Sequence, residues 1–436
     1  MTAVLRRLDL RGVTDLDDRL PRPEMAGEGP RAAVREILEA VRTGGDAALL
    51  DLTEKFDGVR LDAVRVPVEE LTAALAAQPA ELQSALAQAR DRIDAHHRTQ
   101  LRAETVHTDD GVEVRSFQVP VDRAGCYVPG GRAAYPSTLL MTAVPALVAG
   151  VPDVVVCVPP DRTTGKVASV TLAAAAVAGV TEVYAVGGAQ AVAAMAYGTE
   201  SVAPVDVICG PGNRYVALAK QEVAGTVGVA AAFAGPSEVV VVADASVPPE
   251  FAAVDVALQA EHGPDGLAWL ITWDEAVADA VTASLTDLVA RAPRKDDITA
   301  TLAEGGYAVL VDGPEQAMAV ANRIAPEHLE LLVEDPESLV PLVRNAGAVF
   351  LGPWSPASVG DYLAGPSHVL PTYGSARFSS ALTVDDFVKH HHVVRLDGAA
   401  FDAVAPATQA LAEAEGLDAH AESIRLRRRA RQQGAS

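Results

Sequence analysis

Two hydrophobic patterns divide the chain. Residues 29–105 carry apolar positions three and four apart, as in "PRAAVREILEAVRTGGDAALLDLTEKFDG" and "VEELTAALAAQPAELQSALAQARDRIDAHHRTQ". That period puts the apolar side chains on one face of a helix, with Gly44-Gly45 as a break. Further on the pattern shortens to β-branched runs. "DVVVCVPP" (153–160), "EVYAVGG" (182–188) and "VDVICGPGN" (205–213) alternate with Ala-rich helical stretches. "SEVVVVAD" (237–244), "LAWLITWD" (267–274), "YAVLVD" (307–312) and "AGAVFLG" (346–352) repeat the alternation. Strand–helix alternation predicts parallel sheets covered by helices. The reading is an α/β protein with two such units and a small helical segment from about Ser380.

Composition narrows this picture. The chain has 436 residues, 49 % hydrophobic and 21 % charged, which suits a globular protein of more than one domain. Aromatics are only 4 %, so Ala, Val and Leu must fill the core by close backbone packing. The net charge of -23 argues against a nucleic-acid or anionic-membrane surface, since both need a basic face. The one basic run, Arg425–Gln433, reads as a solvated, fraying tail. The longest apolar stretch, Thr171–Val180, is too short to span a bilayer, and "MTAVLRRLDLRG" lacks an apolar signal core. A cytoplasmic protein is expected. Cys126, Cys157 and Cys209 are far apart and lack C-x-x-C spacing, so reduced thiols are expected rather than a disulfide framework or a zinc ribbon.

Candidate chemistry gathers in loops. "CYVPGG" (126–131), "GGAQA" (187–191), "GPGN" (210–213) and "GPSE" (235–238) are placed beyond the carboxyl ends of strands, where open parallel sheets bind ligands. Glycine lets a ligand approach the backbone, and a following helix N-terminus offers N–H groups to phosphate. An ordinary strand-to-helix turn explains any one of them. Four together, two bearing the amides Gln190 and Asn213, favour a nucleotide pocket, although "GPGNRY" lacks the third glycine of the dinucleotide fingerprint.

Glu precedes His directly at two places. In "VALQAEHG", Gln259 and His262 are three apart and share a helix face, while Glu261 points about 100° from His262. Two ligands are too few for a stable zinc site. This segment alone reads as a capped helix end, or as half of a clamp completed elsewhere. In "RIAPEHLELL", Pro326 fixes the backbone just before Glu327 and His328. The pair reads either as surface residues at a turn or as a base with a water-activating carboxylate. The Gly/Pro-rich loop Val359–Gly374 holds Asp361 and His368, and polar residues on such loops are disproportionately functional. Glu415 and His420 sit in a run that alone reads as a polar helix. His390–His392 read as a solvated strand or turn, since three consecutive His do not converge easily on one ion. His96, His97 and His107 fall in a charged helical stretch and carry no signal.

Eight motifs in order, "YVPGG…YPST", "GGAQAVAAMAYG", "GPGN", "AGPSE", "QAEHGPD", "RIAPEHLEL", "GDYLAGPSHVLPTYG" and "EAEGLDAH", resemble the histidinol dehydrogenase family from about residue 30 to 425. The resemblance implies NAD+-dependent oxidation of L-histidinol to L-histidine through the aldehyde, with one Zn2+ per subunit. It implies two Rossmann-like domains: residues 27–126 with 238–382, carrying metal and catalytic residues, and residues 127–237, carrying the NAD loops. Segments 1–26 and 383–436 flank them, the latter swapped into the partner of a homodimer with shared active sites. Zinc would be held by Gln259, His262 and Asp361, with His420 donated by the other subunit. Glu327 and His328 match the family's acid/base pair. Ser237, His368 and Glu415 match substrate contacts, as do His328 and the four zinc ligands. Tyr127, Gln190 and Asn213 match NAD contacts. The segment "TVDDFVKHHHVVRLDG" departs from the family pattern, and the His390–His392 triplet is given no role. Similar enzymes act on other small alcohols such as sulfopropanediol; Ser237, His368 and Glu415 favour histidinol.

Overall fold

The alternating runs become two parallel sheets. The computed structural model describes residues 4–17, 19–21, 29–130, 133–230, 237–261 and 266–434. The chain starts with strand β1 (Arg6–Asp9) and helices α1 (Gly29–Asp57), α2 (Val68–Ala76) and α3 (Ala80–Arg98). A hairpin, β2 (Thr105–Asp109) and β3 (Val112–Pro120), follows. The first alternation is β4 (Arg123–Tyr127), α4 (Pro136–Val148), β5 (Asp153–Val158), α5 (Ser169–Ala178), β6 (Glu182–Ala185), α6 (Gly188–Tyr197), β7 (Val207–Cys209), α7 (Arg214–Val223) and β8 (Gly228–Val229). The second is β9 (Glu238–Ala243), α8 (Pro249–Ala260), β10 (Leu267–Thr272), α9 (Glu275–Arg291), α10 (Lys295–Gly305), β11 (Gly306–Leu310), α11 (Pro314–Ile324), β12 (His328–Leu332), β13 (Ala348–Leu351) and α12 (Ala357–Tyr362). The chain closes with β14 (Val388–Leu396), α13 (Gly398–Ala414) and α14 (Asp418–Gly434).

The chain divides into two compact units, Met1–Gln100 with Val121–Phe387, and Leu101–Pro120 with Val388–Ser436. The first unit holds a five-stranded sheet, β6-β5-β4-β7-β8, and a six-stranded sheet, β1-β11-β10-β9-β12-β13. Every strand pair in both is parallel. Strand β9, "EVVVVA", is buried at all positions because sheet neighbours flank it and apolar layers cover both faces. Val239 and Val241 join one cluster with Val256, Leu270 and Leu285. Val240 and Val242 join the opposite one with Trp269, Met318 and Leu329. The two-residue period of the strand divides the face residues this way. A third cluster backs the five-stranded sheet and includes Val34, Leu38 and Leu49 of α1. Helix α1 is broken where the sequence placed the break: Gly45 has φ 54 and ψ −139, outside the helical region.

The second unit pairs β14, β3 and β2 in an antiparallel sheet, with α13 packed on α14. Several expectations change here. His107 lies on strand β2, not in a helix. The segment after Ser380 enters this unit as a strand before its two helices, and His390–His392 occupy exposed positions of that strand. The basic run belongs to α14 and is not a fraying tail, since Arg425 and Arg429 pair with Glu422, and Arg431 pairs with Asp402. Among the described residues, no helix is long and apolar enough to cross a membrane. All three cysteines are buried and free.

The packed layer has a measurable consequence. Leu270 is fully buried in the six-stranded sheet. Leu270→Ala is expected to destabilise the protein by about 2–5 kcal/mol through lost transfer energy and the cavity left behind. Urea unfolding should show a lower midpoint at unchanged slope.

Candidate functional site

The candidate residues collect at the amino edge of the six-stranded sheet. Glu238 begins β9 and His328 begins β12, and the two strands are neighbours with His328 opposite Val239. The helices run back across a parallel sheet, so the last turn of α8, with Gln259, arrives at the same edge. This corrects the expectation for "GPSE". Its Gly235 and Pro236 lie outside the described residues, and Ser237 stands before the amino end of β9, not beyond a strand's carboxyl end.

Glu327 and His328 are buried side by side, with Glu327 Oε2 3.7 Å from His328 Nδ1. The Glu238 N–H donates to Glu327 Oε2 at 3.0 Å, and the Glu238 carbonyl lies 3.3 Å from His328 Nδ1. Gln259 Nε2 is 2.7 Å from the same Nδ1. Asp361 Oδ1 is 3.5 Å from His328 Nε2. Nδ1 cannot accept from the Gln259 amide and donate to the Glu238 carbonyl at once. Nδ1 therefore has two alternative roles, acceptor from Gln259 or donor to the Glu238 carbonyl, while Nε2 faces Asp361.

Burial pushes the Glu327 carboxyl up to about 7, only partly offset by His328 and the Glu238 N–H. Burial alone would lower His328, but Glu327 and Asp361 beside it reverse the sign and raise it. Both shifts run upward, the carboxyl's from burial and the imidazole's from the acids beside it.

Asp361 lies in the short helix α12 rather than in an open loop. His368 lies beyond it with both ring nitrogens engaged: Nδ1 donates to the Asp361 carbonyl at 3.0 Å, and Nε2 accepts from Thr138 Oγ1 at 3.0 Å. Thr138 is a residue the sequence reading did not single out. It sits in "YPST" near the start of α4, so it ties His368 to the five-stranded sheet's helical layer.

The fit to a metal rests on Gln259. Its Oε1 is buried with no hydrogen-bond partner among the described residues. A buried amide oxygen without a donor fits ligation to a cation, and the Asp361 carboxylate is a second oxygen donor of a kind zinc accepts. His262 lies outside the described residues. Among those described, no three His, Cys, Asp or Glu side chains form a metal cluster. Glu415 and His420 are exposed residues of the second unit.

The Gly-rich loops form a different feature. A cavity of about 680 Å³ is lined by Tyr127, Gly130, Gly188, Gln190 and Asn213, at the carboxyl edge of the five-stranded sheet. Tyr127 Oη accepts from the Gly188 N–H at 3.1 Å, and burial pushes this phenol up to about 12. Asn213 caps α7, accepting from Tyr215 N and Val216 N at 3.0 and 3.2 Å. Gly210 has φ 102, and a Cβ there would collide with the Tyr127 carbonyl. The buried Lys220 ammonium donates to the Gly210 carbonyl from α7. Phe56 and Asp57 at the end of α1 and Arg162 after β5 also line it, and no local motif marks them.

A model of the histidinol dehydrogenase family matches residues 20–428. Histidinol dehydrogenase of Parasynechococcus marenigrum (strain WH8102) is 52% identical over 395 residues, covering 90% of this chain and 89% of the relative. That of Moorella thermoacetica is 51% identical over 406 residues, covering 92% and 95%. The crystal structure of histidinol dehydrogenase from Elizabethkingia anophelis superposes with a TM-score of 0.95 at 34% identity, covering 99% of this chain and 100% of that one.

The buried acid has a pH signature. A carboxyl raised in the folded state binds its proton more tightly there than when unfolded, so its ionisation destabilises the fold as pH rises from the ordinary 4.5 through about 7. Glu327→Gln removes that loss. Relative to wild type, the variant should gain stability between pH 5 and pH 8, by at most about 3 kcal/mol. Denaturant midpoints at the two pH values would measure it, and a difference independent of pH would refute the assignment.

Proposed function

This chain belongs to the histidinol dehydrogenase family, and from that membership we propose that it oxidises L-histidinol to L-histidine through the aldehyde, using two NAD+. The observation that carries the residue-level reading is the buried Glu327–His328 pair between Gln259 and Asp361. Gln259, His262 and Asp361 would hold zinc, with His420 supplied by a second copy of the chain. Zinc held there would supply binding and orientation of the substrate, and NAD+ would supply the hydride acceptor of each oxidation. Tyr127, Gln190 and Asn213 line the cavity that receives the nucleotide.

The chain's own residues move the protons. His328 accepts the alcohol proton at Nε2. That requires the imidazole hydrogen on Nδ1, where the Glu238 carbonyl receives it, and Gln259 gives up its bond to the ring in that form. Glu327 as carboxylate takes a proton from the water that adds to the aldehyde, and its position near 7 leaves both forms populated at neutral pH. Ser237, His368 and Glu415 contact the substrate, the last from the partner subunit. Burial of the site keeps the aldehyde from solvent between the two oxidations. Each parallel sheet with its helices makes one Rossmann-like domain, and 383–436 is the segment that reaches the partner's site.

Two measurements test this. Purified protein given L-histidinol and excess NAD+ should yield two NADH per histidine, and a chelator should abolish turnover. Turnover of a different diol without turnover of histidinol would overturn the substrate assignment. For the shared site, Glu327→Ala and His420→Ala proteins should each be inactive, and co-refolded together they should regain partial activity. In the mixed dimer one site carries both lesions and the other carries neither. Absence of recovery would place His420 in its own subunit's site or in none.

A further inference from the structure

We propose that Asp255 and Glu330 share one proton and form a clamp that positions the metal-site residues Gln259 and Asp361. The inference rests on the zinc reading above and adds two residues to it. Two bonded pairs join α8 to β12. The first is Gln259 Nε2 to His328 Nδ1 at 2.7 Å. The second lies one helical turn back: Asp255, on the same face of α8 as Gln259, is hydrogen-bonded to Glu330. Glu330 stands two residues beyond His328 and therefore on the same face of β12. Its Oε1 accepts from the Ala357 N–H at 3.2 Å. Ala357 is the first residue of α12, and Asp361 lies four residues on in that helix. One carboxyl group thus touches the helix that carries Gln259 and the helix that carries Asp361.

The shared proton follows from the chemistry. Asp255 is 5% exposed and Glu330 0%. Among the described residues, no N–H or hydroxyl donor reaches Glu330 Oε2. Two carboxyl groups bond to each other only with a proton between them, and two bare carboxylates buried together would repel. Burial raises both groups, and Glu330 is raised further by Asp255 beside it. Neither residue enters the proton transfers proposed above. Both are positioning residues, acting through α8 and α12.

The test uses three variants of the full-length protein. Readouts are amide hydrogen exchange across residues 357–363, zinc affinity by competition with a chromophoric chelator, and kcat and KM for histidinol and NAD+. Glu330→Leu removes the clamp. Ala357→Pro removes only the N–H, and proline is tolerated at the first position of a helix, so this variant still reports if Glu330→Leu fails to fold. Both should speed exchange in α12 and weaken zinc about tenfold or more, leaving KM for NAD+ unchanged. Glu330→Gln keeps an acceptor for Ala357 and offers Asp255 an N–H in place of the proton. It should restore wild-type exchange and zinc affinity. Unchanged exchange in Ala357→Pro would overturn the proposal, as would a Glu330→Gln protein as impaired as Glu330→Leu. Wild-type protein that neither binds zinc nor oxidises histidinol would refute the functional reading alone, because the exchange data judge the clamp by themselves.

Discussion

The backbone of Glu238 ties the Glu327–His328 pair to the sheet, and the site is built around that tie. Its N–H serves Glu327 and its carbonyl faces His328. Both contacts exist because β9 and β12 are parallel neighbours in a fixed register, His328 opposite Val239. A shift of one residue would turn the His328 side chain to the opposite face. The register is held by apolar layers on both faces of β9, so the packing of Val239 to Val242 and the geometry of the polar pair are one constraint.

That constraint also explains the unusual titration. A carboxyl and an imidazole at a buried strand start cannot be hydrated, so their protonation is set by each other and by the few dipoles aimed at them. Beneath them, Asp255 and Glu330 repeat the pattern with two acids. Polar groups along one face of β12 are thus met by polar groups along one face of α8, and an otherwise apolar interface gains a line of directional bonds.

The two sheets use opposite ends. The cavity lined by Tyr127, Gln190 and Asn213 lies at the carboxyl edge of the five-stranded sheet, where open parallel sheets generally receive ligands. The Glu327–His328 pair lies at the amino edge of the six-stranded one. The Thr138–His368 bond joins residues associated with the two regions.

Much of this was legible in one dimension. The runs "VVVV" and "LAWLIT" announced buried parallel strands, because only a strand covered on both faces tolerates continuous apolar sequence. Gly44-Gly45 announced the helix break. The spacing of eight motifs carried the family, and Gln259, Glu327, His328, Asp361 and His368 came with it. Local pattern failed where partners are remote. His107 reads as helical from its neighbours, yet it pairs across β2 and β3. The basic run reads as a tail until Asp402 and Glu422 meet it. The placement of "GPSE" depended on which strand it precedes, and strand order is not written in a motif. Thr138 and Glu330 lie inside quoted motifs without standing out in them, and Asp255 lies outside them, since a buried acid looks like a surface acid until its neighbours are known. By itself, then, the sequence determined the elements, their parallel character and the family, because hydrophobic period and motif order are local properties. Only the tertiary structure decided which sheet edge gathers these residues, which groups face the His328 ring and which acids are buried. Those depend on register and on groups tens or hundreds of residues apart being brought within hydrogen-bond reach.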